Sequence, residues 1–274
     1  MRLVQRMAEK GHRNAVKGRG VWRHFVDGKP EYLVRHYWWA YLWRWGVWFF
    51  DHQPIINAIL FGQYKTLSHR ALHDCMKDRP RGRMLQMTCA YGSITPALLH
   101  AMKDDLHIMD VAEIQLAATR KKLSKADQRR LLCARMNAES LAYGDNAFAT
   151  VLIFFLLHEL PPDARLRSIN EAIRVLRPGG RFVITEYGAC PRQHLLWRLP
   201  LTRRILQKLE PFLDSFWHLD LTHTLSAAAR QQGKEIKLVE EFHCFSGFYR
   251  VCTYALSEAT CPSGEKRQGS QVNE

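Results

Sequence analysis

Residues 83–92 read RMLQMTCAYG, residues 94–102 ITPALLHAM and residues 106–110 LHIMD. A short apolar strand opens into a loop and then a helix, and a second strand follows that ends in an acid. This is the order of elements in a nucleotide-binding half of a doubly wound α/β sheet. The first strand is expected over residues 83–87, with its turn over residues 88–92. Asp110 then stands at the tip of the second strand, where a carboxylate can accept both hydroxyls of a ribose. Glycine is scarce in the loop: Gly92 is present, but Thr88 and Ala90 occupy the other places where backbone would approach a ligand closely.

The second half of the pattern extends this reading. Residues 149–157 (ATVLIFFLL) form a continuous apolar run, as expected of a parallel strand covered on both faces. His158 and Glu159 follow at its C-terminal end, where open α/β sheets place ligands and chemistry. Pro162 and Asp163 predict the start of a helix that runs to Leu176, and Arg177-Pro178-Gly179-Gly180 predicts its stop before a strand over residues 181–187. In this register the chain resembles the class I S-adenosylmethionine-dependent methyltransferases. The expected fold is therefore a doubly wound, seven-stranded, mostly parallel α/β sheet of the Rossmann type, with an aromatic-rich helical cap at its N-terminal side.

Composition sets bounds around that fold. A chain of 274 residues with 47% hydrophobic content can bury a substantial core, and one domain with appendages is expected. The seven cysteines are odd in number, scattered and without a CxxC pair, so they read as reduced thiols rather than a disulfide framework or zinc site. No run of eighteen uncharged apolar residues occurs, and no secretory signal is recognisable. The expected parts are a basic arm (1–29), a single domain (30–257) and a polar tail (258–274). Within the domain we expect a cap over 30–78, a cofactor-binding core over 79–190, an amphipathic insertion or lid over 191–232 and a β-hairpin over 233–257.

The net charge is +14 and unevenly placed. Arg2, Arg6, Lys10, Arg13, Lys17 and Arg19 stand against Glu9 alone in the first twenty residues. That arm reads as a solvated tail, as an anchor for anionic lipid or as an organelle presequence. No RNA- or DNA-binding motif accompanies the charge, so nucleic acid is not expected as a partner. After the arm, residues 36–50 read HYWWAYLWRWGVWFF and hold five of the eight tryptophans. Such ring density suits a packed lid over the sheet or a surface for the membrane interface, where indoles prefer the headgroup level. A second amphipathic stretch, QHLLWRLPLTRRILQKLEPFLDSFW over residues 193–217, follows the fifth strand and could cover an apolar substrate.

A narrower resemblance rests on YLVRHYWWAYLWRWGVWFFDHQPIINAILFGQY, LQMTCAYGSIT, MDVAEIQLAATRKKL, FFLLHEL and LEPFLDSFW. Together these segments resemble the rhodoquinone biosynthesis family, divergent relatives of the methyltransferases, over roughly residues 30–250. That resemblance implies replacement of a ring methoxy group of ubiquinone by an amino group, with S-adenosylmethionine as amino donor and a divalent metal, manganese, in support. It also implies a peripheral place on the membrane surface: the cytoplasmic face of the inner membrane, or the matrix side of the mitochondrial inner membrane if the arm is a presequence.

Residue roles follow as expectations. Gln86, Thr88, Ala90, Gly92, Asp110, Val111, Asn137 and Ala138 are expected at the cofactor. Gln86 stands where ordinary members carry an acid near the cofactor's ammonium, and a neutral amide would lower that amine's pKa and leave it able to attack a quinone carbon. His158 and Glu159 are expected to bind metal or move protons, since imidazole and carboxylate suit manganese. Tyr91 is expected at the reacting ring, with Tyr187 also lining the pocket, and His218 and Asp220 are weaker candidates. Two other functions stay open: a conventional methyltransferase acting on a quinone or other lipid, and a non-catalytic, membrane-associated protein on this fold.

Overall fold

A computed structural model describes residues 28–189, 194 and 198–259 of the protein. Nearly all of the basic arm, the tail from residue 260 and parts of the insertion lie outside the described residues. The core is a seven-stranded sheet of β1 (Met84–Met87), β2 (Leu106–Asp110), β3 (Leu131–Arg135), β4 (Phe148–Phe154), β5 (Leu176–Tyr187), β6 (Lys234–Cys244) and β7 (Tyr249–Glu258). Their spatial order is β3-β2-β1-β4-β5-β7-β6, with β7 antiparallel to both neighbours and the other pairs parallel. β1 and β4 are buried at every position because helices cover both faces, which is why they read as unbroken apolar runs.

The chain winds outward from β1 to β3 and then returns to start again at β4. β1 and β4 are therefore neighbours whose following segments diverge, and this leaves a crevice at their C-terminal ends. Four short helices arch over it: α1 (Glu31–His36), α2 (Trp38–Tyr41), α3 (Arg44–Phe50) and α4 (Gln53–Ile59). The helix α5 (Tyr64–Met76) then packs along the sheet. Around the sheet lie α6 (Ile94–Ala101), α7 (Glu113–Lys121), α8 (Lys125–Arg130) and α9 (Pro162–Val175). α10 (Pro200–Leu209), α11 (Leu213–Trp217) and α12 (Leu221–Gln231) lead into the β6–β7 hairpin, whose turn carries positive φ at Phe245, Ser246 and Gly247.

Two local expectations are corrected. The Pro178–Gly180 segment, expected as a turn ahead of the strand, lies within β5 as an irregularity. Pairing with β4 passes from Phe148↔Leu176 to Thr150↔Arg181, and Gly179 takes φ +73°. The apolar run expected to continue to Leu157 leaves the sheet at Phe154. Phe155 takes φ +57°, and a single 3-10 turn follows over Leu157–Glu159.

Candidate functional site

One pocket of about 1440 Å³, including its open mouth, fills the crevice. The loop after β1 supplies Thr88, Cys89, Ala90 and Tyr91, and the tip of β2 supplies Met109, Asp110 and Val111. Asn137 and Ala138 follow β3, and Phe155, Leu156, His158 and Glu159 follow β4. The cap closes the other side with Tyr37, Trp39, Tyr41 and Phe50.

At the β2 side, Asp110 is buried. Its Oδ2 accepts from the Cys89 N–H at 2.9 Å and its Oδ1 from the Ala112 N–H at 2.8 Å. Burial pushes the carboxyl up to about 6 against these hydrogen bonds. Asn137 accepts from the Glu139 N–H at 3.0 Å and so shapes the turn after β3. Thr88 takes φ +68°, a left-handed conformation that a branched residue adopts only under constraint. The constraint is Gln86, whose Nε2 donates to the Thr88 carbonyl and whose Oε1 accepts from Thr95.

Gln86 is therefore not on the pocket wall: it sits in β1, covered on both faces, with both ends of its amide engaged. Gly92 is displaced from a direct role as well. Its N–H donates to Asp51, which is ion-paired with Lys122, and Lys122 donates to the Gly92 carbonyl. A Cβ at Gly92 would lie 2.5 Å from the Tyr64 ring, at φ +81°, so glycine is required there by the cap rather than by a ligand. The Tyr64 hydroxyl accepts from the Ser93 and Ile94 N–H groups, satisfying the first turn of α6.

The opposite wall gathers acids. His158 Nδ1 is bonded to Glu186 at 2.8 Å, while its Nε2 faces Glu159 at 4.0 Å and Glu210 at 3.7 Å. Tyr37 donates to Glu210 at 3.1 Å and Tyr41 donates to Glu159. Tyr91 stacks on Tyr41 with centroids 5.6 Å apart and also accepts from Gln115. Burial works against a charged imidazole, but Glu186, Glu210 and Glu159 outweigh it and raise His158 to about 9. Burial raises Glu159 to about 8 despite His158, and raises Glu210 as well. Tyr187 is buried with its ring 4.8 Å from that of His158.

One buried guanidinium fixes these segments. Arg165 Nε donates to the Leu157 carbonyl at 2.7 Å, and its Nη2 bonds the Leu160 and Phe212 carbonyls and Ser215. It thereby ties the turn bearing His158 and Glu159 to the chain beside Glu210.

Metal capability can be judged from the donor set. One donor atom each from His158, Glu159 and Glu210 lies within 4.8 Å of the others. The imidazole is oriented by a carboxylate on its other nitrogen, the usual arrangement behind a metal-bound histidine. Raised carboxyl pKa values mark negative charge that a divalent cation would relieve, so the residues fit such an ion. His218 does not join them: it is exposed and bonded through Nδ1 to the Asp214 carbonyl, because α11 turns it outward. Asp220 caps α12 by accepting from the His223 N–H.

Glu210, Glu186, Tyr37 and Tyr41 were not anticipated from the sequence. A signal existed for two of them. Glu186 is an acid at the end of an apolar strand, and Glu210 is the first acid after a long basic and apolar run.

Comparison with known proteins agrees with this geometry. Residues 84–180 match the family described as "Methyltransferase domain". A demethylmenaquinone methyltransferase of Bacillus mycoides is 26% identical over 138 residues, covering 50% of this chain and 57% of the relative. The ubiquinone/menaquinone biosynthesis C-methyltransferase UbiE of Dinoroseobacter shibae is 30% identical over 149 residues, covering 52% and 56%. The chain thus spans little more than half the length of these curated relatives. Among solved structures, the [4+2]-cyclase SpnF superposes with a TM-score of 0.52 at 16% identity, covering 77% of this chain and 94% of SpnF. PH0226 from Pyrococcus horikoshii gives 0.52 at 15% identity, covering 83% and 99%. Residues 84–180 are thus similar in sequence to the methyltransferase domain family, and the sheet around them shares its fold with these solved structures.

Proposed function

We propose that the protein is an S-adenosylmethionine-dependent transferase acting on the ring of a quinone, and that the group it transfers is the cofactor's amine, which replaces a ring methoxy group of ubiquinone. The observation that carries this reading is the His158–Glu159–Glu210 cluster, which shares one pocket with the Asp110 cradle. Asp110, with Val111, Asn137 and Ala138 beside it, would hold the nucleoside. Thr88, Ala90 and Tyr91 would bound its amino-acid end. S-adenosylmethionine supplies the amine, and manganese held by His158, Glu159 and Glu210 would supply a Lewis acid for a quinone oxygen.

The chain's own groups suit that task. No charged side chain of the loop after β1 faces the pocket, and Asp51 beside the loop is neutralised by Lys122. An amine kept unprotonated could attack the methoxy-bearing ring carbon, and methanol would leave. The nitrogen–α-carbon bond would be cleaved by water as that carbon is oxidised to a 2-oxo acid and the quinone takes up the two electrons as its quinol. Glu159, raised to about 8, is poised to give and take a proton near neutrality, and burial raises Glu210 beside it as well. Tyr41 and Tyr37 orient them. The methyltransferase fold does not oblige methyl transfer, since the structurally similar SpnF is a cyclase.

Conventional methyl transfer to a quinone is the second reading. It is favoured by the names of the relatives, which concern demethylmenaquinone and ubiquinone/menaquinone biosynthesis. In that case the same acids would serve as a general base for the ring. Incubation with ubiquinone, manganese and S-adenosylmethionine labelled separately at the α-nitrogen and at the methyl carbon separates the two. We expect the nitrogen label, and not the methyl label, in a quinone whose mass falls as methoxy gives way to amino. A quinone that gains the labelled methyl would establish the second reading.

A further inference from the structure

Helix α10 carries an apolar stripe that faces outward. Leu201, Ile205 and Leu209 stand four residues apart, are 71%, 51% and 45% exposed, and belong to a helix that buries none of its residues. An amphipathic helix of a freely soluble domain turns such a stripe toward the core. The cap shows the same inversion: Trp45 and Trp48 are 62% and 58% exposed, and Trp38, Trp43 and Phe49 lie close behind. Single exposed apolar residues are ordinary, but two dense sets on adjoining elements are not.

Both elements reach the mouth of the pocket, α10 through Leu209 and the cap through α4. Among the described residues that line it, Ile59 of α4 and Leu209 of α10 are the exposed ones. The cap is joined to the end of α10 by the Tyr37–Glu210 hydrogen bond and by the contact of the His36 and Phe212 rings. The pocket therefore opens between two outward-facing apolar elements.

Charge identifies the occupant of this face. Residues 32–73 contain one acid, Asp51, and it is engaged by Lys122 and Gly92; residues 189–209 contain none. Arg44, Arg198, Arg204 and Lys208 are all exposed. Tryptophan mixed with arginine and lysine, with a single carboxylate that is already paired, matches the headgroup level of an anionic bilayer. No described helix is long and apolar enough to cross a membrane, so attachment would be to its surface.

We propose that α10 and the cap helices α2 to α4 form one docking face for an anionic phospholipid surface, which seats the pocket mouth on the bilayer so that a lipid-tailed ring enters from the membrane. Its purpose rests on the quinone reading above, but docking itself does not.

The test uses the full chain without quinone. Vesicles of phosphatidylcholine, alone and with phosphatidylglycerol, would be sedimented with the protein, and tryptophan quenching by bromine-labelled lipid would be recorded. We expect binding that requires phosphatidylglycerol, quenching of the wild-type fluorescence, and only partial release by salt, because buried rings are not screened. The double variants Trp45→Ser/Trp48→Ser and Leu201→Ser/Ile205→Ser should each lose about tenfold or more in vesicle affinity while keeping S-adenosylmethionine affinity, which reports an intact fold. Absence of binding would overturn the proposal. So would binding unchanged in both variants, which would assign attachment to charge elsewhere, or a concentration-dependent oligomer that buries these side chains without lipid.

Discussion

Asp110 shows how one side chain can serve both fold and site. Its carboxylate joins the loop after β1 to the start of α7 through the Cys89 and Ala112 N–H groups, yet still borders the pocket. Truncation to alanine removes charge-assisted acceptors from two ribose hydroxyls, so Asp110→Ala should weaken S-adenosylmethionine binding by about 1–3 kcal/mol by calorimetry. Affinity in the parent protein should also fall as pH drops through about 6, because the protonated acid accepts fewer hydrogen bonds. An affinity that stays level between pH 7 and pH 5 would remove Asp110 from the ribose role.

The elements matter because the site is assembled from pieces far apart in sequence. Asp110, His158 and Glu159 were legible from the residue pattern alone, since each stands at the end of an apolar strand and strand tips gather ligands in open α/β sheets. Glu210 and its partner Tyr37 are 173 residues apart, and Tyr41 and Glu159 are 118 apart. No local periodicity encodes such pairs. The aromatic stretch showed its composition but not its breaks: four short helices let Tyr37 and Tyr41 point inward while Trp45 and Trp48 point out. Gln86 misled for a related reason, because spacing gives its place in β1 but not the Thr95 and Thr88 partners that absorb its amide. Arg165 is the joint on which the assembly depends. Arg165→Leu fills similar space but leaves the Leu157, Leu160 and Phe212 carbonyls short of a donor, so we expect a loss of about 2–4 kcal/mol in urea unfolding. A variant as stable as the parent would show that water replaces the guanidinium.

At the scale of the whole molecule, the acidic wall couples stability to pH and to metal. His158 is raised to about 9 in the folded state against an unperturbed value near 6.5. Its contribution is therefore complete below about 6.5 and is lost as pH climbs through 9. Glu159, raised to about 8 from an ordinary value near 4.5, keeps its proton in the fold where the unfolded chain has lost it, so stability falls as pH rises between those values and levels off above about 8. The two effects share a sign, and the melting temperature of the metal-free protein should fall between pH 7 and pH 9. A divalent cation reverses the trend, since it binds the native cluster and competes with the same protons. Manganese at a hundred times its dissociation constant should add about 2.7 kcal/mol. At fixed manganese, the rise in melting temperature should grow from pH 6 to pH 8 and collapse in Glu210→Gln, which withdraws the donor at the end of α10. A manganese effect that shrinks with rising pH, or survives in that variant, would place the ion elsewhere and leave the cluster to proton transfer alone.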